Sequence, residues 1–511
     1  MLSLMMNHKR NNLVWHLLDQ HLLSNRRDAI AVRDETGEIT YTELAEQVMC
    51  FLSKHKQLRT VPTGSRILCL LDDNQAAVIT LLALMRLGLV PCIINPNLPN
   101  DSYDDYLKIA APNRIIVPSS HYLKFKSILE QTNVELLIID KLEQRGTASI
   151  DDVEITALAF DSDAFGLFTS GTTGKPNLII HRHKDPVITI KNYVLNTLSM
   201  RTNDVLFSTS KLFFAYGLNS LLYALYHGAT AILSPTENSL EKIWGIINAL
   251  KPTILFSVPT MYSRLLEYSH LPKSLSHVRL CVSAGEHLPS SLFEKWQHQF
   301  NVSIIDGIGT TEILSTFISN TPSIFSKNST GKLVSGFTAE IRDESNRVLP
   351  IGEIGLLWIR GGTYPSAYIN NSAMSQDRFV NGWFKTYDLF SCCQFGFYYY
   401  HGRASDLIKC GGIWIFPHRI EAILNAHPNI KESAVVCHEY DGLQRPVAYI
   451  VLRKKRDYFD GLASELKQQC KEKCSKYEYP HMIYVVDDIP KTATGKLQRY
   501  KLRENTYDTI V

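Results

Sequence analysis

Residues 168–176 read Phe-Thr-Ser-Gly-Thr-Thr-Gly-Lys-Pro, with the hydroxyls of Thr169, Ser170, Thr172 and Thr173 interleaved with Gly171 and Gly174 and followed by Lys175. Such a stretch can wrap N–H groups and hydroxyls around phosphate oxygens, because the glycines permit close backbone approach. An ordinary surface turn shares this composition. The glycine spacing is shorter than that of a Walker loop, and proline rather than Ser or Thr follows the lysine. Pro176 lacks an N–H and keeps the loop from running straight into a helix. A different apparatus for nucleotide phosphates is implied.

Four further segments could serve the same chemistry. Ser283-Ala284-Gly285-Glu286 ends a predicted strand over Arg279–Ser283, and Asp306-Gly307-Ile308-Gly309-Thr310-Thr311-Glu312 ends the next, over Val302–Ile305. Loops at the carboxyl ends of parallel strands are where α/β proteins bind ligands. Glu312 offers hard oxygens suited to Mg²⁺, the usual companion of nucleotide phosphates. Asp388, in Lys385-Thr386-Tyr387-Asp388, has a carboxylate able to take both hydroxyls of a ribose, and Gly402-Arg403 follows it. Lys496 sits on the Gly-bearing stretch Pro490-Lys491-Thr492-Ala493-Thr494-Gly495-Lys496. Taken singly, each reads as well as a turn or a solvated charge. Their joint order over more than half of the chain carries the functional reading.

The elements that must position these residues follow from length and pattern. The chain has 511 residues, enough for several domains, with 45% apolar and 20% charged residues as in soluble globular proteins. A net charge of +3 points to neither nucleic acid nor a membrane surface. The longest apolar stretches, such as Leu81–Val90, are interrupted by Arg86 and Gly88, and no secretory signal is read at the start. The ten cysteines form no Cys-x-x-Cys pair, so a reduced, cytoplasmic setting is expected. Strand-like runs at Arg66–Leu71, Pro91–Ile94, Arg114–Val117, Glu135–Ile139, Val205–Ser208, Thr230–Leu233 and Thr253–Val258 alternate with helical stretches such as Ala76–Leu87 and Ser239–Leu250, the latter with Ser239 as N-cap. This alternation predicts an α/β fold of layered, mostly parallel sheets and helices. Gly331–Gly362 reads as a small β-rich subdomain. The last hundred or so residues read as a small α+β unit: helices Pro417–Asn425 and Leu462–Lys473, and strands Ser433–Cys437, Val447–Leu452 and Ile483–Val486. The expected division is a large domain over 1–402, a hinge at 403–406 and a small mobile domain over 407–511.

From Thr40-Tyr41-Thr42-Glu43-Leu44 to Lys496-Leu497-Gln498-Arg499, the chain resembles the adenylate-forming superfamily of acyl-CoA synthetases, nonribosomal adenylation domains and luciferases. Within it, Lys211-Leu212-Phe213-Phe214-Ala215-Tyr216-Gly217-Leu218 and the Asp306–Glu312 and Thr492–Arg499 stretches are most similar to benzoate–coenzyme A ligases. The resemblance implies an ATP-dependent carboxylic acid–thiol ligase. The acid attacks the α-phosphate of ATP, giving acyl-adenylate and pyrophosphate; a thiol then displaces AMP. It further implies that Thr169–Lys175 holds the β- and γ-phosphates, Thr311 contacts the α-phosphate and Glu312 holds Mg²⁺. Gly285, Glu286, Asp306 and Gly307 would frame adenine, and Asp388 and Arg403 the ribose. Lys496 would bridge carboxylate and α-phosphate in the first step, then be replaced by rotation of the small domain, which brings up Gly411 and Gly412 for a pantetheine arm.

The acid is expected between Phe213–Gly217 and Gly307–Ser315, with Phe214, Ala215, Tyr216, Gly217, Ile308, Gly309 and Ser315 in contact. Amino-acid-activating relatives carry Asp where Ala215 stands, so an acid without an α-amine is expected, and the aromatics suit a flat aromatic acid. At least one of Phe213 and Phe214 is expected to be core packing instead. Four positions depart from the family pattern: Asn177 for Lys, Tyr387 for Gly, Ser405 for Asp or Lys, and Leu314-Ser315 where arylate ligases often have His. The acceptor is expected to be coenzyme A. The alternatives left open are the phosphopantetheine of a separate carrier protein and, in another class, an inactive AMP-binding homologue. A homodimer is left open.

Overall fold

The computed structural model describes residues 9–99, 102–130, 134–139, 154–170, 176–235, 239–363, 367–410, 413–440, 443–474, 478–491 and 497–504. Two compact units divide the chain: Met1–Thr338 with Ile359–Phe384, and Ala339–Trp358 with Lys385–Val511.

The first unit is layered α/β. One sheet runs Gly331–Leu333, Ser315–Ser319, Ile304–Thr310, Leu280–Ser283, Ile254–Ser257, Val205–Ser208, Thr230–Ile232, Ile30–Asp34, Gly37–Thr40. Its central pairs are parallel, and antiparallel pairs flank them on both sides. A second sheet runs Tyr368–Ile369, Pro176–Arg182, Asp163–Ser170, Val90–Ile94, Arg66–Leu70, Arg114–Pro118, Glu135–Ile139. The central parallel strands are mostly apolar, as expected of strands covered on both faces: Ile254–Ser257 and Leu280–Ser283 are buried at every residue.

The helices start where the caps predict. Lys242 N–H donates to Ser239 Oγ ahead of Leu240–Leu250, and Ala77 N–H to Asn74 Oδ1 (3.0 Å) ahead of Gln75–Arg86. Thr40 and Glu43 form a reciprocal capping box at Tyr41–Lys54, so the Thr-Tyr-Thr-Glu-Leu motif has a plain structural reason. Among the described residues, no helix is long and apolar enough to cross a membrane.

Two strands that the sequence pattern did not announce, Asp163–Ser170 and Pro176–Arg182, flank the Gly/Thr-rich stretch and pair antiparallel up to Ser170 opposite Pro176. Pro176 therefore opens a strand, in keeping with its exclusion of a helix. A second difference concerns Asp306–Thr310, read as a loop. The strand Ile304–Thr310 pairs parallel with Cys281–Ser283 as far as Asp306, then antiparallel with Ser315–Ser319 from Gly307 onward. Glycine makes this possible: a Cβ at Gly309 would stand 2.5 Å from the Ser315 carbonyl oxygen.

In the second unit, Asp388, Phe390, Ser391 and Cys392 pair antiparallel with Arg403, Tyr400, Tyr399 and Tyr398. A sheet of Ile430–Tyr440, Leu443–Leu452 and Met482–Val485 packs Val435, Ile450 and Ile483 against Ile420 and Leu424 of helix Pro417–Ala426 and Leu466 of helix Leu462–Lys473. This is the α+β unit that the alternation predicts.

Candidate active site

The antiparallel pair Ile304–Thr310 and Ser315–Ser319 has a tight turn at its tip, and the turn carries Thr311 and Glu312. Leu314 N–H donates to the Thr310 (3.0 Å) and Thr311 (3.2 Å) carbonyls, and Ile313 N–H to Thr310 Oγ1 (3.3 Å). Leu314 is buried with φ at +56°, an uncommon conformation for a bulky residue. Its carbonyl is gripped by Asn219 Nδ2 (3.0 Å) and Thr189 Oγ1 (3.4 Å). Glu312 accepts a hydrogen bond from the Tyr368 hydroxyl, 2.7 Å to Oε1. Burial and the adjacent Glu312 carboxylate push the Tyr368 phenol far above its ordinary range, so it stays a donor. His181 lies buried nearby; burial pushes its imidazole down to about 3, against the pull of the Thr311 backbone, and the ring is neutral.

The aromatic segment opens the helix Ala215–His227, with Phe214 at its N-cap. Phe213, Phe214, Ala215 and Tyr216 are half-buried and Leu212 is buried, so neither Phe213 nor Phe214 is a core residue, contrary to expectation for at least one. Their rings meet at 4.4 Å, tilted by 57°. Tyr216 donates its hydroxyl to the Val282 carbonyl (2.9 Å) on the strand leading to Gly285. Gly217 is buried in the first turn, where a Cβ would stand 2.2 Å from the Lys211 carbonyl oxygen. The preceding loop is anchored by Asp73: both carboxylate oxygens accept from Leu212 N–H, at 3.1 and 3.2 Å. Burial pushes Asp73 up to about 7, against the charge of Lys211 and the Leu212 N–H. Because the same helix carries Asn219, the aromatic segment and the Thr311–Glu312 turn are tied together.

The other predicted residues fall as follows. Thr169 and Ser170 close their strand, and Gly171–Lys175 lie outside the described residues. Gly285 is exposed with φ at +88°, while the Glu286 carboxylate accepts from Thr260 N–H (3.2 Å) and Oγ1 (3.3 Å) at the start of helix Pro259–Leu266. Asp306 is buried, which raises its carboxyl well above the usual range; it leads into Gly307, Ile308 and Gly309 within the strand. Ser315 is 2% exposed, and its hydroxyl donates to the Thr316 carbonyl (3.1 Å). In the second unit, Arg403 Nε meets Asp388 Oδ1 at 3.0 Å and Arg403 Nη1 donates to the Thr386 carbonyl (3.0 Å). Gly411, Gly412 and Lys496 lie outside the described residues.

Glu312 brings one carboxylate to its turn, and no cluster of three or more His, Cys, Asp or Glu exists among the described residues. Mg²⁺ is commonly held by one or two carboxylates together with substrate phosphates, so this donor set fits it. Tyr368, Asn219, Thr189, His181 and Asp73 were not legible as site residues. Each acts through a contact with a residue distant in the chain, and none lies in a motif of its own.

A layered α/β unit followed in the chain by a small α+β unit is the fold of the adenylate-forming enzymes. The chain belongs to the AMP-binding enzyme family: its profile matches residues 19–369, and that of the AMP-binding enzyme C-terminal domain matches 419–496. Among relatives, a benzoate–CoA ligase of Thauera aromatica is 34% identical over 508 residues, covering 97% of this chain and 96% of that one. A benzoate CoA ligase from Burkholderia xenovorans LB400 superposes with TM-score 0.87 at 32% identity, covering 96% of this chain and 99% of that one. An anthranilate CoA ligase in complex with anthranoyl-AMP gives 0.89 at 32% identity, covering 96% of each.

Proposed function

We propose that the chain is an ATP-dependent aryl acid–CoA ligase. An oxygen of the aromatic carboxylate attacks the α-phosphorus of ATP and pyrophosphate leaves, giving acyl-adenylate. The thiolate of coenzyme A then attacks the acyl carbon, and AMP leaves as the thioester forms. The observation that carries the substrate class is the aromatic segment. Phe213, Phe214 and Tyr216 are half-buried rather than packed away, and Ala215 between them supplies no charge for an ammonium group. The CoA ligases of aromatic acids among the relatives support the same class.

Both reactants of the first step are anions, so the protein must supply fixed positive charge and donors. Thr169–Lys175 is assigned to the β- and γ-phosphates, Thr311 to the α-phosphate, Gly285, Glu286, Asp306 and Gly307 to adenine, and Asp388 with Arg403 to the ribose. Mg²⁺ held by Glu312 would neutralise phosphate charge. Lys496 bridges the carboxylate and α-phosphate, and Gly411 and Gly412 admit the pantetheine arm in the second step. Such a preorganised group is typically worth ~10²–10³ in rate. The test is ATP–pyrophosphate exchange and thioester formation over benzoate, 2-aminobenzoate, 4-hydroxybenzoate, phenylalanine and palmitate. An aromatic acid without an α-amine should give the highest kcat/KM; phenylalanine or palmitate ranking first would refute the reading.

A further inference from the structure

The Tyr368–Glu312 hydrogen bond belongs to a longer connection. Tyr368 is 3% exposed and its backbone pairs with Ile179, on the strand that begins at Pro176. Its N–H donates to Ser375 Oγ (2.9 Å), whose hydroxyl donates to the Asn371 carbonyl (2.7 Å). Asn371 Nδ2 in turn donates to Asn177 Oδ1 (2.7 Å), directly after Pro176. The Tyr368 ring rests on Phe379 at 5.3 Å. The phenol is therefore fixed from several sides before it reaches Glu312. Among the described residues, no second side chain hydrogen-bonds this carboxylate. A hydroxyl donating to a carboxylate is a strong, directional bond, and it occupies Oε1 only.

We propose that Tyr368 is the positioning residue for Glu312: it holds Oε1 and leaves Oε2 for a divalent cation. Through Asn371 and Asn177 it also fixes that carboxylate relative to the strand leaving the phosphate-binding stretch. Asn177, standing where the family pattern has lysine, serves here as a hydrogen-bond acceptor. The inference rests on the reading of Glu312 as the cation ligand.

Groups behind a metal ligand typically contribute 10–100-fold in metal affinity. The experiment measures equilibrium Mn²⁺ binding to the enzyme with a non-hydrolysable ATP analogue, by electron paramagnetic resonance, and metal-free AMP binding by calorimetry. The proteins are wild type, Tyr368→Phe, Glu312→Gln and the double variant. Tyr368→Phe should weaken Mn²⁺ binding by about 10-fold or more and leave AMP binding unchanged. The double variant should be no weaker than Glu312→Gln, because the tyrosine acts through the glutamate. If Glu312→Gln weakens Mn²⁺ binding and Tyr368→Phe does not, or if Tyr368→Phe lowers AMP affinity as much as Mn²⁺ affinity, the positioning role is overturned. If Glu312→Gln itself leaves Mn²⁺ binding intact, the cation reading of Glu312 fails instead.

Discussion

At Gly217 the space for a side chain is already taken. A Cβ there would lie 2.2 Å from the Lys211 carbonyl oxygen and 2.4 Å from that of Ser210. Both are backbone atoms, so a methyl group must push the loop of Lys211–Phe214 away from the helix it opens. Overpacking of this kind costs ~1–3 kcal/mol, and a displacement on the acid side should appear in acid binding first. Gly217→Ala is expected to raise KM for the aromatic acid by about tenfold or more, the equivalent of ~1.4 kcal/mol, with a smaller change in KM for ATP. Steady-state kinetics with each substrate varied in turn check this. Lys496 has a different signature. Lys496→Ala should abolish adenylate formation and spare thioester formation from supplied acyl-adenylate, since its charge is needed where two anions meet. Equal loss of both half-reactions would remove the assignment.

Elements decide where these residues stand, and the anchor of the Lys211–Leu212 loop is a carboxyl at the end of the Arg66–Leu70 strand region. Asp73 is 6% exposed, and burial lifts it from 3.8 to about 7. Lys211 and the Leu212 N–H oppose the shift and Asp72 adds to it. The folded protein therefore keeps a proton that the unfolded chain releases. The resulting stabilisation is full below 3.8 and is lost as pH rises to about 7. Asp73→Asn removes that dependence. Relative to wild type, the variant should gain stability on the order of 1.4 kcal/mol per pH unit across this window, read from denaturant midpoints at about pH 5 and about pH 8. The parallel strands were legible because each is a short run rich in apolar, β-branched residues, Glu135–Ile139 and Val205–Ser208 with the predicted limits. Asp163–Ser170 and Pro176–Arg182 were not, because Gly, Thr and Ser at one end and Pro at the other mask the alternation. The Asp306–Thr310 strand hides behind its glycines, which look like a loop in one dimension and allow close strand contact in three. Tyr368 and Asn219 were beyond reach for another reason: nothing local distinguishes a tyrosine whose partner is Glu312 from one in the core.

The whole molecule consists of two units, and the chemistry has two steps. The residues assigned to the first step include Lys496, and those assigned to the second include Gly411 and Gly412, all three in the second unit. We propose that a pivot at Ser405–Asp406, a position inside the second unit, exchanges them. Within the second unit, Asp406 is held by Arg499 Nε (3.4 Å) and Arg503 Nη2 (3.2 Å), and the Ser405 carbonyl accepts from Arg503 Nη2 (3.4 Å). Ser405→Pro fixes φ near −65° and deletes an N–H. Adenylate formation is expected to persist and thioester formation to fall, because the proline reduces the population of the rotated state. Unchanged rates in a folded variant would place the pivot elsewhere. The activity is read directly by incubating the protein with ATP, Mg²⁺, coenzyme A and benzoate and quantifying nucleotides and thioesters by mass spectrometry. An AMP-forming aryl-CoA ligase gives benzoyl-CoA and AMP in equal amounts, with no ADP. Formation of ADP, or AMP without any aryl-CoA thioester from benzoate or its amino and hydroxy derivatives, would contradict it.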